Sequence, residues 1–266
     1  MLGNFHTHTT FCDGKNTPEE IILAAIDKGF TAIGFSGHGY TEFDLRYCMK
    51  DTAGYVREVR RLQEKYKNKI QVYLGIEEDA FQPADRSQFD YIIGSSHYFH
   101  VNNAYLPIDS NYDYFKKCLE AFQYDIPLLA ETYYSSFVHY IQTRKPDIIG
   151  HFDLITKFDE LDASLFLQND AYNKIAEKYV TAACESPCLF EFNTGAIARG
   201  LRTTGYPYEN LLYIVQKHGG KIILASDSHS ADTLDYGFSE AKAFLKNIGF
   251  KQIYTLYNQE FISYNI

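Results

Sequence analysis

The sequence has no apolar run that approaches the roughly 20 residues a membrane-spanning helix needs, so it gives no support to a membrane role. It also lacks a C-x-x-C pair, and its five cysteines are odd in number. No apolar signal segment precedes Asn4. We therefore expect a protein of the reducing cytoplasm.

Positive charge is scarce as well: 25 Lys and Arg stand against 34 Asp and Glu, which gives a net charge of -9 at pH 7. Because phosphate backbones are bound by clustered Lys and Arg, this balance argues against a general nucleic-acid surface. A phosphorylated small molecule remains compatible, since bound metal ions can reverse the local field. The sequence also contains neither a G-x-S-x-G elbow nor a Walker loop.

The chain has 266 residues, 45% of them hydrophobic, which is enough to bury one large core. No internal repeat, low-complexity tract or Pro/Gly-rich linker divides it, so we predict one domain over residues 1–266. Apolar strand-like runs alternate with helical patterns, which predicts a parallel α/β fold. Seven strands are predicted, at 2–5, 31–35, 70–76, 89–93, 147–150, 188–192 and 221–225.

The best-marked helix follows the first strand. Thr17 can cap it, Pro18 takes its first position and Glu20 completes a capping box. Gly29 then ends it. Further helical patterns lie near 51–67, 111–124, 165–184, 208–217 and 238–247. The Tyr-rich stretch at 94–146 is expected to hold two helices and a long loop.

Polar residues stand just past the end of every predicted strand. They are His6, His8, His38, Glu77, His97, His151, Asn193, Asp227 and His229. In a barrel of parallel strands these ends converge on one face, where active sites are built. His6 and His8 are two residues apart, so on an extended backbone both imidazoles point to one side and suit one ion or two adjacent ions. Asp227 and His229 repeat that spacing, and the whole pattern predicts a metal centre.

Taken singly, a histidine is more often a hydrogen-bonded core or surface residue than a ligand. The set changes this interpretation, because six of the nine histidines lie just past the end of a predicted strand. The three that lack this placement keep the ordinary interpretation: His100, His139 and His218. Cys12 lies in the loop after His8, but free cysteine is usually buried filler, so contact with the site is the minor alternative.

Several segments resemble the PHP (polymerase and histidinol phosphatase) superfamily of metal phosphoesterases, over nearly the full chain. They are FHTHTTFCDG at 5–14, FSGHG at 35–39, LGIEED at 74–79, DYIIGSSHYF at 90–99, IIGHFDLITKF at 148–158, FEFNTGAIARG at 190–200 and ILASDSH at 223–229. GHFDLITKF, EFNTGAIARG and the following GYPYENLL are similar to the histidinol-phosphatase branch.

The resemblance implies a distorted (β/α)7 TIM-like barrel with two or three divalent metal ions, Zn, Mn or Fe. The first ion would be held by His6, His8, Glu77 and Asp227. Glu77 would bridge to a second ion bound by His97 and His151. The third ion would use His38 and His229, with Asp13 in place of a histidine that this loop usually supplies. Asn4 stands where an Asp commonly precedes the first His, so the partner that orients an imidazole is expected to be weaker.

The chemistry that follows from the resemblance is hydrolysis of L-histidinol phosphate by a hydroxide that bridges two ions. Arg199 suits a phosphate clamp because its planar fork can pair two oxygens, and Lys157 is the second candidate, with a solvated surface lysine as its alternative. Arg202 ranks below both. A metal-bound water, Asp227 or His229 can deliver the proton to the leaving alkoxide.

Two other functions remain open on the sequence. A PHP phosphoesterase that acts on nucleotides or other small phosphate esters would share the same ligands, although the acidic balance and the branch-specific segments count against it. A non-catalytic barrel that keeps its metal ligands for stability is the alternative from a different class. Arg199 argues against the latter, because such a barrel has no need of a phosphate clamp.

Overall fold

The computed structural model describes residues 1–161 and 165–266. Its strands are β1 (Gly3–Asn4), β2 (Ala32–Phe35), β3 (Gln71–Asp79), β4 (Tyr91–Ser95), β5 (Tyr98–Val101), β6 (Ala104–Pro107), β7 (Ile148–Ile149), β8 (Leu189–Asn193), β9 (Lys221–Ala225), β10 (Gln252–Tyr257) and β11 (Glu260–Asn265). Its helices are α1 (Pro18–Asp27), α2 (Thr52–Tyr66), α3 (Tyr112–Ala121), α4 (Ile126–Arg144), α5 (Asp170–Ala183), α6 (Gly195–Ala198), α7 (Glu209–Lys217) and α8 (Phe238–Ile248).

Seven parallel strands form a curled sheet in the order β1-β2-β3-β4-β7-β8-β9. The sheet closes just beyond β1 and β9, where the His8 amide donates to the Ser228 carbonyl at 2.8 Å and the Ser228 amide donates to the His6 carbonyl at 3.0 Å. At the opposite end β10 pairs with β9 and contacts β1, and it carries β11 as an antiparallel edge strand. The predicted distorted barrel is confirmed. It is distorted because β10 contacts both β9 and β1 at this end.

All seven predicted strands are present, and α1 begins and ends as predicted. The Thr17 hydroxyl accepts from the Glu20 amide at 3.3 Å, and the Glu20 carboxylate accepts from the Thr17 amide at 2.7 Å, which is a capping box. Gly29 follows with a φ of +76°, a conformation that glycine adopts without strain. Among the described residues, no helix combines the length and the apolarity needed to cross a bilayer.

Two hairpins were not predicted from the sequence. The stretch expected to be a long loop before α3 forms the antiparallel pair β5–β6, and the chain ends in the pair β10–β11. The first turn contains Asn102 and Asn103 with φ of +51° and +61°, which matches the two-residue turn that suits the twist of a hairpin. This Asn-Asn pair was the available sequence signal.

The interior of the barrel is apolar through its lower part, where Phe5, Tyr73, Tyr91 and Ile223 pack together. Side chains on the outer faces of the strands pack against the helices in two larger clusters. A Cβ at Gly75 would overlap the Tyr91 ring, so this position needs glycine. The filled interior leaves the carboxyl ends of the strands as the open end of the barrel.

Candidate metal centre

Along the inner face of several strands, apolar side chains give way to charged ones towards the carboxyl end. In β3 Tyr73 is followed four residues later by Glu77, and positions an even number apart on a strand face the same side, so Glu77 continues the inner face of the barrel. Asp227 lies two residues beyond the end of β9, with a φ of +45°, and its carboxylate joins the same cluster. There they meet the loops that follow the other strands. The structure brings together all nine predicted donors: His6, His8, Asp13, His38, Glu77, His97, His151, Asp227 and His229.

Glu77 lies at the middle of this cluster, and its two oxygens face different histidines. Oε1 lies 3.0 Å from His151 Nε2 and 3.3 Å from His97 Nε2. Oε2 lies 3.3 Å from His6 Nε2 and 2.8 Å from His38 Nδ1. The carboxylate therefore has the placement of a bridge between two neighbouring ions.

The donors fall into four overlapping groups whose ligand atoms lie within 4.8 Å of one another. The groups are His6, His8 and Asp227; His6, Glu77 and His151; His38, Glu77 and His97; and His8, Asp13, His38 and His229. The first three contain the donors expected around Glu77, but they combine them differently, because His6 is grouped with His151 and His38 with His97. The fourth adds His8 to the donors expected for a third ion, and Asp13, the most exposed donor, completes it.

The buried polar atoms of the cluster also indicate that these residues suit metal ions. His6 Nε2, His8 Nε2 and Glu77 Oε2 are buried, and although nitrogen and oxygen atoms of the cluster lie 2.8 to 3.3 Å from them, none of these contacts among the described residues has the geometry of a hydrogen bond. Buried polar atoms are rarely left unpaired, because the missing bond costs about 1–3 kcal/mol. Imidazole nitrogens with carboxylate oxygens are ligands typical of Zn, Mn and Fe. The unpaired atoms all point at the cluster, where an ion would satisfy them.

The electrostatics of the cluster favour ligand forms of two central side chains, whereas at His6 and His38 burial is outweighed by the nearby carboxylates, which raise the pKa of the imidazole. Burial dominates at His8 and, with the imidazoles beside it, lowers the pKa of His8 to about 3. Burial alone would raise the pKa of the Glu77 carboxyl, but His6 and His38 outweigh it and hold that pKa well below its usual value. A neutral imidazole and an ionised carboxylate are the forms that bind metal.

Two carboxylates that orient the donors were not predicted from the sequence. Glu191, buried in β8, lies with both oxygens 3.0 Å from His6 Nδ1. The Asp79 carboxylate lies 3.3 Å from His97 Nδ1. Such partners fix the ring orientation and the tautomer of a metal-binding histidine. Their signal was the alternation of polar residues along β3 and β8, which placed both on the inner face.

The reason given for a weaker partner at Asn4 is wrong, because the hydrogen bond to the His6 ring is made by Glu191 and the bond between Asn4 and His6 is to the backbone amide. Asn4 Oδ1 accepts from the His6 amide at 3.1 Å, and its Nδ2 donates to the Ser226 hydroxyl at 2.8 Å. Asn4 thus joins the first strand to the end of β9, while Glu191 orients the imidazole. Asn193 is not a metal donor either: it donates to Glu191 and accepts from the Gly195 amide at 2.8 Å.

The three predicted cations occupy different places. Arg199 lines the pocket and is bound to Asp227, through Nη2 to Oδ2 at 3.0 Å and Nη1 to the backbone oxygen at 2.9 Å. Lys157 also lines the pocket, and its side chain is only 13% exposed, so it is not a solvated surface lysine. Arg202 is buried outside the pocket lining, where its guanidinium stacks 4.1 Å from the centre of the Tyr206 ring.

The three histidines that were not predicted to bind metal lie outside the cluster, whereas Cys12 contacts it. His100, His139 and His218 are exposed and lie apart from the donor groups. Cys12 is the exception, because its sulfur lies 3.6 Å from His8 Nδ1. Burial raises the pKa of the Cys12 thiol to about 12, which keeps it protonated and unlike a thiolate ligand.

A pocket of about 340 Å³ opens above the donors. Its floor is made of histidines and carboxylates from the cluster, and Arg199 and Lys157 stand on its wall. The rest of the wall is formed by Tyr47, Asp109, Ser110, Leu154, Leu201 and Tyr206. The arrangement can hold a small anion over a metal cluster, with room beside it for an organic group.

A comparison with known protein families decides where this site belongs. The model of the PHP domain family matches residues 4–195, which include every donor except Asp227 and His229. The chain belongs to the PHP family. The family assignment made from the sequence motifs is therefore confirmed.

Relatives of this PHP chain extend over almost its whole length. A probable histidinol-phosphatase of Schizosaccharomyces pombe is 28% identical over 267 residues, covering 92% of this chain and 86% of the relative. The histidinol-phosphatase of Lactococcus lactis is 26% identical over 263 residues, covering 95% of this chain and 92% of the relative.

Two solved structures share the fold. A putative histidinol phosphatase from Listeria monocytogenes has a TM-score of 0.77 at 20% identity, covering 90% of this chain and 99% of that one. The histidinol phosphate phosphatase of Lactococcus lactis, in complex with Zn, L-histidinol and phosphate, has a TM-score of 0.72 at 21% identity, covering 98% of both chains.

Proposed function

We propose that this PHP chain is a metal-dependent phosphomonoesterase that hydrolyses L-histidinol phosphate to L-histidinol and phosphate, a step of histidine biosynthesis. The observation that carries the proposal is a pocket whose floor gathers imidazoles and carboxylates and whose wall presents Arg199 and Lys157. The relatives described above are named for this reaction and extend over more than nine tenths of the chain, which supports it.

The ligand sets draw on the four donor groups but combine their members differently. A first ion would be held by His6, His8, Glu77 and Asp227, a second by Glu77, His97 and His151, and a third by His8, Asp13 and His38, which leaves His229 of the fourth group for proton transfer. Bound divalent ions supply Lewis acidity towards phosphoryl oxygens and acidify water at neutral pH. Glu191 and Asp79 keep the rings of His6 and His97 turned towards the cluster.

Arg199 and Lys157 bind the phosphoryl group in this proposal. Arg199 is held in place by Asp227, and its side chain is 34% exposed, so part of its fork faces the pocket. Lys157 Nζ donates to the Asp109 backbone oxygen at 2.6 Å, which fixes the ammonium at the pocket wall. Both cations stabilise the charge that develops on the phosphoryl oxygens as the ester bond breaks.

We assign proton delivery to His229 rather than to Asp227. The oxygens of Asp227 are both engaged, Oδ1 at 3.1 Å from His8 Nε2 and Oδ2 at 3.0 Å from Arg199 Nη2. His229 lines the pocket, and its Nδ1 lies 3.0 Å from the Asp227 backbone oxygen, to which it can donate. This leaves Nε2, 3.3 Å from Asp13 Oδ2, to carry the proton. Its ring can therefore reach a leaving oxygen in the pocket.

A leaving-group comparison tests this assignment. His229→Asn should lower kcat for L-histidinol phosphate by about 100-fold, and less for p-nitrophenyl phosphate, whose leaving group needs little protonation. An equal loss on both esters would instead indicate that His229 acts only as a metal ligand.

Two wider features belong to the same proposal. We propose that residues 1–266 work as one domain, supported by the contacts of the C-terminal β10 with both β9 and β1. We also propose a cytoplasmic location, supported by five cysteines that are all free thiols.

The decisive experiment combines metal analysis with a substrate panel. The purified protein should carry about two to three Zn, Mn or Fe ions per chain, as overlapping donor groups of this kind would bind. It should release phosphate from L-histidinol phosphate faster than from nucleoside monophosphates or bis-phosphate diesters, and a chelator should abolish the release. Preference for a nucleotide would favour the other phosphoesterase function. A metal-loaded protein inert towards every ester would favour a non-catalytic barrel.

A further inference from the structure

We propose that Asp109 is the residue that selects a phosphate ester with a positively charged leaving group, by binding the ammonium group of the substrate. The inference rests on the proposed phosphatase function, because it concerns the organic part of the same substrate. Asp109 is not part of any donor group, and its place in the pocket comes from the hairpin that the sequence did not predict.

The hairpin brings Asp109 back to the metal cluster. β5 begins directly after His97, and β6 returns antiparallel to it, with Tyr98 opposite Pro107. One step further the Ile108 amide donates to the His97 carbonyl at 2.8 Å. Asp109 therefore follows a residue that is bonded to a donor of the cluster, and its side chain lines the pocket.

The Asp109 carboxylate is available to a ligand. Its Oδ2 lies 3.5 Å from Lys157 Nζ, at the outer limit of a hydrogen bond, while the shorter bond of that ammonium goes to the Asp109 backbone oxygen at 2.6 Å. Oδ1 has no hydrogen-bond partner among the described residues, and the side chain is 28% exposed. The carboxylate is thus fixed in position with acceptor capacity left over.

The charged groups of the pocket are of two kinds, those that suit an anion and one carboxylate that suits a cation. The donor cluster, Arg199 and Lys157 suit the phosphoryl group, which is anionic. Among the carboxylates that line the pocket in the described part of the chain, Asp13 and Asp227 belong to donor groups and Asp109 does not. A carboxylate on the wall opposes an anionic leaving group and attracts a cationic one.

The ionisation of Asp109 agrees with this role. Burial alone would raise the pKa of its carboxyl, but the Lys157 ammonium and the His97 imidazole outweigh burial and lower that pKa. Asp109 therefore carries its charge at neutral pH. An ammonium ion bound there would make a charge-assisted hydrogen bond, which is roughly twice as strong as a neutral one.

The test compares two esters on the metal-loaded protein. L-Histidinol phosphate has a cationic leaving group, and p-nitrophenyl phosphate has none. Asp109→Asn should lower the ratio of their kcat/KM values roughly 10- to 100-fold, the size expected for a lost hydrogen bond to a charged group. Asp109→Glu should retain part of the preference because it keeps the charge. Asp113→Asn, the same change at a carboxylate outside the pocket whose side chain is 86% exposed, is the matched control and should leave the ratio near that of the wild type.

Two outcomes would overturn the inference. If Asp109→Asn lowers kcat/KM for both esters by the same factor, Asp109 acts on the phosphoryl end or on folding. If Lys157→Met lowers the ratio as much as Asp109→Asn does, Asp109 acts only by holding Lys157.

Failure of the proposed function has a different signature. A wild-type protein that does not cleave L-histidinol phosphate contradicts that function, and the role of Asp109 is then tested with O-phosphoethanolamine against glycerol phosphate. Loss of preference for the cationic ester in Asp109→Asn would support the inference, and an unchanged ratio would overturn it.

Discussion

The two ends of the barrel interior use the same strand faces for opposite purposes. Near the amino ends, Tyr73 and Ile223 pack in a dry apolar layer. Four residues further along the chain in each case, Glu77 in β3 and Asp227 beyond the end of β9 meet the histidines of the donor cluster. The lower layer contributes hydrophobic burial to stability, whereas the upper layer gathers buried polar groups that cost free energy unless they are paired.

The difference shows how a stable barrel can contain a site whose buried polar groups lower its stability. Buried histidines and carboxylates contribute function at the expense of stability, so the apolar layer below them must supply the stability. Substitutions in the polar layer should therefore affect catalysis and metal binding, and substitutions in the apolar layer should affect the free energy of unfolding.

The largest effect is expected at the centre of the polar layer. Glu77→Gln removes the charge that faces four histidines, so kcat/KM should fall roughly 1000-fold and the bound metal should decrease. Phosphate release and elemental analysis measure the two effects. Full activity in this variant would contradict the assigned role of Glu77, and unchanged far-UV circular dichroism would show that the fold survives.

In the apolar layer, Ile223→Ala should lower the free energy of unfolding by about 3 kcal/mol, because the side chain is 1% exposed and leaves a cavity. Ile223→Val, the matched control, should cost about 1 kcal/mol. Denaturant titration measures both, with kcat/KM at low temperature expected to change little. A collapse of activity without a loss of stability would show that the two layers are not separable.

A smaller effect is expected at Glu191, which contacts the donor His6 without belonging to a donor group. Glu191→Gln removes the carboxylate that orients His6, so metal affinity and activity should fall roughly 10- to 100-fold while the fold is retained. Competition with a chromophoric chelator measures the affinity. Glu177→Gln, at an exposed position in α5, is the control. Equal metal affinity in the Glu191 variant and the control would remove Glu191 from the site.

The smallest effect belongs to the apolar layer. The buried Tyr91 hydroxyl donates to the Phe5 carbonyl at 2.6 Å, so Tyr91→Phe should cost about 1 kcal/mol of unfolding free energy and leave kinetics unchanged. Tyr213→Phe, on a side chain that is 48% exposed, should change nothing measurable by thermal or denaturant unfolding. A kinetic defect in Tyr91→Phe would indicate that the layers communicate.

Much of the fold was readable because its signals are local. The apolar runs of β3 and β9 and the capping box of α1 each lie within a few consecutive residues. The β5–β6 and β10–β11 hairpins were missed because their strands alternate exposed and buried residues weakly and their turns carry little glycine. The Asn-Asn turn after β5 was the one clear indication.

The candidate site shows the same division. Histidines that follow strand ends, such as His38 and His97, could be found by counting along the chain. Glu191 was missed because it lies inside β8 rather than past its end, and although the alternation along β8 indicates its face, the sequence does not state which ring lies opposite it. Asp109 was missed for a related reason, since its approach to the pocket depends on the register of a hairpin.

The sequence by itself determined the family, through its motifs, and predicted the candidate donors, because the ends of parallel strands converge and polar residues after each strand therefore meet. Only the tertiary structure decided which atoms face each other. The two oxygens of Glu77 are divided between different histidines, Glu191 rather than Asn4 orients His6, and Asp109 lies beside Lys157 on the pocket wall. Those relations depend on barrel curvature and strand register, which arise from contacts between residues far apart in the chain.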